Sequence, residues 1–270
     1  PPAAQRRISP RAWALMALGQ MLVRFTNGGQ GDDGMAAAER ALALDRNLAE
    51  AHAVKARILS EGGRHDDASA EIEVALRLDP ESYEVNRAAA YLRFRQKRLH
   101  ESILHFEKAL ALMETDVSSG NMLMTCYLAV GDGEAAHRAA QITLDRAQKT
   151  LAQDPSNGAA MGFCCYALAL LGQAESAKGW MSRALLIDPD NINMRYNFAC
   201  ALTTHLQDVD GAIELLGLLL EKISIGLLNH AKADPDLDPL RDDPRFQAMV
   251  AAAEARLATV GDSSVPPAPH

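Results

Sequence analysis

The hydrophobic pattern along the chain returns at a fixed interval. A phrase of small and apolar residues ending in an acid occurs as ALALD, ALRLD and ALLID, each beginning at an alanine. Ala41, Ala75 and Ala109 are 34 residues apart, and Ala184 follows Thr150 by 34 again. The step from Ala109 to Thr150 is 41 residues, which is longer by seven. A constant period of this length predicts a stack of one repeated structural unit.

Each copy of the unit places small residues on both sides of a larger apolar one. The small residue seven positions before the marking alanine is Gly34, Ala68, Ser102 or Ala177. The residue between them is Ile72, Phe106 or Met181, with Ala38 as the exception. A glycine often lies twelve positions before the mark, at Gly29, Gly63 and Gly172, and proline closes several copies. Small residues let helices approach closely and a bulky one fills the gap, so this spacing, without strand-like alternation, predicts paired helices.

A 34-residue unit with this spacing resembles the tetratricopeptide repeat. The resemblance covers about residues 11–260 and implies an all-α fold, a right-handed solenoid of about six helix pairs plus a C-terminal capping helix. The sequence departs from the repeat in two ways. The usual Trp of the first helix is replaced in units 2 to 6 by His52, Asn86, Gly120, Met161 and Arg195. Arg46 and Glu114 stand where the closing proline would be, so those unit boundaries are softer.

The period divides the chain into predicted segments. We expect a linker over 1–10 and a disordered tail over 261–270. The six units are predicted at about 11–45, 49–79, 83–114, 117–154, 158–188 and 192–223, with the capping helix at about 244–260. The seven extra residues fall in the second helix of unit 4. Because seven residues are two helical turns, we expect one continuous helix there, from about Glu134 to Gln153.

Composition and charge narrow the class of protein. The net charge is −8 with a pI of about 5.5, which argues against binding to nucleic acid or an anionic membrane. No apolar run is long enough to predict a transmembrane helix, so we expect no direct membrane insertion. Cys126, Cys164, Cys165 and Cys200 lie in apolar stretches without metal-ligand spacing. They predict buried free thiols and a reducing, cytoplasmic location, although the full-length protein could still associate with a membrane.

Catalytic motifs are missing from the sequence. It holds no G-x-S-x-G, P-loop or G-x-G-x-x-G pattern. The run DPDLDPLRDDP contains five aspartates but lacks the glycine and final glutamate of a calcium loop, so we expect it to cap a helix and be solvated. The basic run over 93–102 could contact phosphate, but it is more typical of a solvated helix end. We therefore expect no catalytic residue, metal or cofactor in this chain.

A second resemblance concerns the two ends of the chain. The opening RAWALMALGQMLVRFTNGGQGDDGMAAAERALALD and the closing DPDLDPLRDDPRFQAMVAAAEARL are similar to the repeat region that follows the catalytic domain in many bacterial class III adenylate/guanylate cyclases. Similar regions follow winged-helix domains in some transcription regulators. The resemblance implies a regulatory or interaction module of a larger signalling protein, with any cyclase activity in a missing N-terminal domain. The Pro-rich ends and the absence of an initiator Met also suggest a piece of a longer protein.

The repeat register predicts a binding groove for a protein or peptide, because first helices line the concave face of such solenoids. The groove residues are predicted to be Arg57, Arg87, Tyr91, Phe94, Arg95, Asn121, Thr125, Phe163, Tyr166, Tyr196 and Asn197. Aromatic, amide and Arg side chains are enriched at interface anchors. The carboxylate-clamp slots of chaperone-binding repeats hold Ala53, Arg57, Ala88, Ser118 and Met122 instead, which argues against that ligand. We expect an extended segment or a domain of the same protein with some negative charge; self-association as a homodimer is the third alternative.

Overall fold

The computed structural model describes residues 8–26 and 29–262, so most of the predicted linker and tail lie outside the described residues. This part of the chain forms fourteen α-helices and one 3-10 helix. The helices are α1 (Pro10–Thr26), α2 (Met35–Leu44), α3 (Ala49–Glu61), α4 (His65–Leu78), α5 (Tyr83–Arg95), α6 (Leu99–Leu112), α7 (Ser118–Ala129), α8 (Gly133–Gln153), α9 (Gly158–Leu170), α10 (Ala174–Ile187), α11 (Ile192–Thr204), α12 (Val209–Leu220), α13 (Ile225–Ala233), the 3-10 helix (Pro235–Leu240) and α14 (Pro244–Asp262).

Helices α1 to α12 form six consecutive pairs. Each helix packs on its pair partner, most second helices pack on the first helix that follows, and first helices also pack on one another, as in α1 with α3, α3 with α5 and α9 with α11. The predicted all-α solenoid of helix pairs is therefore confirmed. The odd-numbered helices α1 to α11 are called the first helices below.

The positions that set the period are the contact points between helices. Ala68, Ile72 and Ala75 in α4, and Ser102 and Phe106 in α6, are 0% exposed. The residue twelve positions before the mark has a left-handed backbone, with φ of 80° at Gly63 and 76° at Gly172. In unit 3 a lysine, Lys97, holds the same conformation with φ of 59°. The recurring glycine is therefore explained by the turn between the two helices of a pair, which needs a positive φ.

Helix α8 is continuous, as its seven-residue excess predicted. It runs for 21 residues from Gly133 to Gln153. The carboxylate of Asp132 caps its start by accepting a hydrogen bond from the Ala135 backbone. Its apolar face is buried along the whole length, from Ala135 to Leu151. Two added turns therefore keep the same face against the core.

The four cysteines are buried and free, as predicted. Burial raises the pKa of all four thiols, which keeps them protonated and unreactive. Among the described residues, no helix is both long and apolar enough to cross a membrane.

After the sixth pair the chain folds back over the first helices. Helix α13 packs on α1, α3 and α5, and the 3-10 helix packs on α7 and α11. Helix α14 then lies against α12, in the position of the expected capping helix. Residues 224–240, called the returning segment below, were not predicted as a structural element. They place part of the chain inside its own groove.

Candidate functional site: the concave groove

The returning segment is held in the groove by polar contacts at its start. The Ser224 hydroxyl donates a hydrogen bond to the Phe25 carbonyl at 3.2 Å. The Asn229 side-chain amide donates to the Glu61 carbonyl, at the end of α3, at 2.9 Å. These contacts satisfy carbonyls at the ends of first helices, which lack partners within their own helix.

His230 lies at the centre of an aromatic cluster. Its ring stacks on Phe94, with ring centroids 5.0 Å apart and an interplanar angle of 25°. The rings of Tyr196 and Tyr91 are 5.7 Å and 6.4 Å away. Burial, and then the charge of Arg95, lowers the pKa of His230 to about 3. The imidazole is therefore neutral and packs as an aromatic ring.

Two acids of the returning segment are bound by hydroxyl groups of the first helices. Tyr196 donates to the Asp234 carboxylate at 2.6 Å. Tyr166 and Thr125 donate to one oxygen of Asp236 at 2.7 Å and 2.9 Å. Burial raises the pKa of Asp234 to about 6 and raises the pKa of Asp236 well above its usual range. The two carboxyl groups thus act as buried hydrogen-bonding groups whose charge is disfavoured.

The contacts of these acids correct the expectation that the Asp-rich run is solvated. Asp234 and Asp236 are only 3% and 4% exposed. Asp243 does cap α14 as expected, accepting from the Arg245 backbone. A ligand atom of Cys200 lies within 4.8 Å of those of both buried acids. A hydroxyl and a backbone N–H bind the two oxygens of Asp234, and two hydroxyls bind Oδ2 of Asp236, so the arrangement fits a hydrogen-bonded network.

The basic run over 93–102 is likewise less solvated than expected. Arg93 is 5% exposed and binds Glu73 at 2.9 Å. Arg95 is 9% exposed; it donates to Ser60 at 3.2 Å and approaches Glu61 at 3.8 Å. The exposed residues of the run are Lys97 and Arg98 in the turn and His100 at the start of α6. The last turn of α5 faces α3, α4 and α6, so its arginines are covered.

The groove therefore has two parts. The filled half consists of Phe94, Thr125, Tyr166 and Tyr196, which contact the returning segment. The open half consists of Arg57, Arg87, Tyr91 and Asn121, which line a cavity of about 310 Å³; its other side is formed by the returning segment together with Thr125 and Tyr196. Phe163, Asn193 and Asn197 complete the wall on the side of α9 and α11.

Several polar atoms in the open half lack partners. Within the described ranges, Arg57 has neither a hydrogen bond nor an ion pair, although it is only 8% exposed. The Arg87 side chain has one long contact, from Nη2 to the Ser118 hydroxyl at 3.5 Å, and its Nε is unpaired. Asn121 donates to Asn197 at 3.1 Å, but its own side-chain oxygen is unpaired. Such buried groups are uncommon, and each needs a partner from solvent or from a bound molecule.

The structure brings all the groove residues predicted from the sequence to first helices. Their environments differ: Phe94, Tyr166 and Tyr196 are at most 6% exposed, because the returning segment covers them. Arg87, Tyr91 and Phe163 are half-buried beside the cavity. Whether these residues bind a partner stays a prediction.

Sequence reasoning missed His230, Asp234 and Asp236 as groove residues. Helix α13 is only nine residues long and carries no repeat phrase. One available signal was the Leu237 and Leu240 pair, three residues apart in an otherwise acidic run and 0% exposed in the structure. That spacing is typical of one buried helical face.

No protein-family model matches the sequence, and no curated protein matches it. Solved structures are similar in fold. PilW, a widely conserved type IV pilus biogenesis factor, has a TM-score of 0.52 and 21% identity over 78% of this chain and 92% of that one. Pseudomonas aeruginosa pilF has a TM-score of 0.51 and 18% identity over 90% and 97%. Human IFIT1, in a dimer with m7Gppp-AAAA, has a TM-score of 0.58 and 15% identity over 94% and 61%.

These identities are low, so the similarity concerns the fold alone. The similarity in fold to PilW and pilF supports the tetratricopeptide fold expected from the period. The resemblance to the C-terminal regions of nucleotide cyclases stays a prediction.

Proposed function

We propose that the chain is a protein-interaction scaffold that receives a segment of a partner protein in the open half of its groove. The observation that carries this proposal is the cavity of about 310 Å³ whose wall holds unpaired donors and acceptors. Arg57 and Arg87 need acceptors, whereas the Asn121 oxygen needs a donor. A peptide supplies both from its backbone and side chains.

The returning segment shows what these first helices can bind. It is a peptide of the same chain, with one short helix, one 3-10 turn and two acids that accept hydroxyl hydrogen bonds. A segment of a partner, or of another domain of the same protein, would continue this mode of recognition into the neighbouring units. The expected contacts are made by Arg, Tyr and Asn side chains, which suit interface anchors.

The larger protein and its location follow from the sequence resemblance. The chain would be the regulatory or interaction module of a cytoplasmic signalling protein, with any catalytic activity in another domain. A nucleotide cyclase and a winged-helix regulator remain the two alternatives for that protein. The chain itself contributes binding.

Site-specific photo-crosslinking tests the proposal. A benzoylphenylalanine is introduced at Asn193, in the cavity wall, or at Leu104, which is 65% exposed on a second helix, in the full-length protein expressed in its own cells. We expect a discrete crosslinked partner, or an intramolecular crosslink to another domain, from position 193 and not from position 104. The same products from both positions, or none from either, would overturn the proposal. A crosslinked dimer, checked by light scattering, would favour self-association instead.

A further inference from the structure

We infer that Arg57 and Arg87, ordered by Tyr91, form a subsite for a carboxylate of the bound segment. The inference rests on the proposed function and names the chemistry of the partner. Its occupant is an extended peptide with an acidic side chain at this point.

Arg57 carries the argument because its buried guanidinium has no hydrogen-bond or ion-pair partner in the described residues, and only the more distant charge of Glu61 and the Tyr91 group offset its burial. It lies on α3, is 8% exposed and lines the cavity. Its Nε and Nη1 atoms have no hydrogen-bond partner in the described part of the chain. A buried charge is strongly unfavourable unless it is paired and hydrogen-bonded. The missing partner is therefore an acceptor, and an anion meets the need best.

Tyr91 holds the two guanidinium groups in place. The Arg57 and Arg87 guanidinium carbons lie 5.3 Å and 5.5 Å from the centre of its ring, within the range of cation–π contacts. The Tyr91 hydroxyl is fixed in turn by the Ser118 hydroxyl at 2.8 Å. Two arginines are thus held near one ring before any ligand arrives. The nearby charge of Arg87 adds to burial in lowering the pKa of Arg57 to about 10, so an anion would relieve both effects.

The neighbouring acids do not fill this role at contact distance, although the charge of Glu61 acts on Arg57, and those of Asp116 and Glu84 on Arg87, from further away. Glu61 approaches Arg95 at 3.8 Å. Asp116 uses one oxygen to cap α7 at the Ser119 backbone. Asp234 and Asp236 accept from tyrosine and threonine hydroxyls. Across residues 8–26 and 29–262, no carboxylate lies within ion-pair distance of Arg57 or Arg87.

The same cavity favours a peptide over a free anion. The unpaired Asn121 oxygen is an acceptor and needs a hydrogen-bond donor, which a carboxylate ion does not offer and a peptide N–H does. The cavity, of about 310 Å³, has room for only a short stretch of peptide, and the proposal takes that stretch to be extended. A peptide with one acidic side chain supplies the anion and the backbone N–H together.

The test is a titration with two matched peptides, followed by NMR of the arginine Nε–Hε signals. The peptides are acetyl-Ala-Asp-Ala-amide and acetyl-Ala-Asn-Ala-amide, with sodium acetate and inorganic phosphate as further arms. The protein variants are Arg57→Met, Arg57→Lys and Arg87→Met, and Arg64→Met is the control because Arg64 is exposed and pairs only locally with Asp67. Circular dichroism checks that each variant is folded.

We expect the Asp peptide to bind at least tenfold more tightly than the Asn peptide and to shift the Arg57 and Arg87 signals. Arg57→Met and Arg87→Met should remove this preference, Arg57→Lys should reduce it, and Arg64→Met should leave it unchanged. Should Arg57→Met fail to fold, the Lys and Arg87 variants decide.

Equal binding of the two peptides would overturn the carboxylate subsite while leaving peptide binding in the groove intact. If phosphate or acetate binds more tightly than the Asp peptide, the subsite takes a free anion, and the proposal of a peptide carboxylate is overturned. If none of the four probes binds at up to about 10 mM, which is on the order of the weakest specific affinities, the subsite is overturned. The crosslinking result still tests the proposed function separately.

Discussion

The two halves of the groove treat charge in opposite ways. In the filled half, Asp234 and Asp236 from the returning segment meet the hydroxyls of Tyr196, Tyr166 and Thr125. In the open half, neither Arg57 nor Arg87 has an ion pair with an acid of the described residues, and the Nε atoms of both are unpaired. Both halves use equivalent positions on first helices. The difference teaches that such positions become core where the chain covers them and line an open cavity where it does not.

The largest expected effect comes from removing an aromatic side chain from the filled half. Phe94 is 0% exposed and stacks on His230. Phe94→Ala should lower the free energy of unfolding by about 3–5 kcal/mol, since it leaves a cavity in the core. Urea denaturation measures it. Phe163→Ala, in the half-buried wall of the open half, is the matched control and should cost clearly less. Equal losses would mean that the open half is core as well.

The next effect concerns pH, and two buried groups should act in opposite directions. The folded pKa of His230 is lowered to about 3, so its contribution is complete above about pH 6.5 and is lost as the pH falls through 3. The folded pKa of Asp234 is raised to about 6, so its contribution is complete below about 3.8 and is lost as the pH rises through 6. Denaturation at several pH values separates the two.

Between pH 6.5 and pH 4.5, protonation linked to His230 should lower the free energy of unfolding of the wild type by about 2–3 kcal/mol. His230→Gln should not show this decrease. Asp234→Asn should make the same loss steeper. If both variants keep the pH dependence of the wild type, neither group is buried as the returning segment requires.

A smaller effect should separate two arginines that lie close together. Arg95 has Ser60 and Glu61 as partners, whereas Arg57 has none in the described residues. Arg95→Met should lower the free energy of unfolding by about 1–3 kcal/mol, because partners lose a buried contact. Arg57→Met should be neutral or stabilising by about 1 kcal/mol, since it removes an unpaired buried charge. A loss at Arg57 as large as at Arg95 would show that Arg57 is already satisfied.

Much of the solenoid could be predicted from the sequence because its period reports packing. Ala75, Ala109 and Ala184 recur at fixed steps because each lies at a close helix contact and is 0% exposed. The glycine of the turn was equally informative, since a positive φ favours one residue type. Lys97 shows the limit, because it takes the same conformation without the glycine signal.

The groove could be predicted only in part. The register identified its first-helix residues, because their positions repeat with the unit. Nothing local in the sequence shows that Asp236 meets Tyr166, which lies 70 residues away. Acids next to prolines are usually exposed, and burial here depends on hydroxyls contributed by distant helices. Long-range partners of this kind carry no periodic signal.

The most direct test of the account is whether the returning segment lies in the groove in solution. Nuclear Overhauser spectra of deuterated protein with protonated His and Phe measure this contact through the rings of His230 and Phe94, whose centroids are 5.0 Å apart. We predict cross-peaks between these rings, and a His230 signal that does not titrate near pH 6.5 because burial lowers its pKa. Absence of those cross-peaks together with an ordinary histidine titration would place the segment outside the groove and contradict the account.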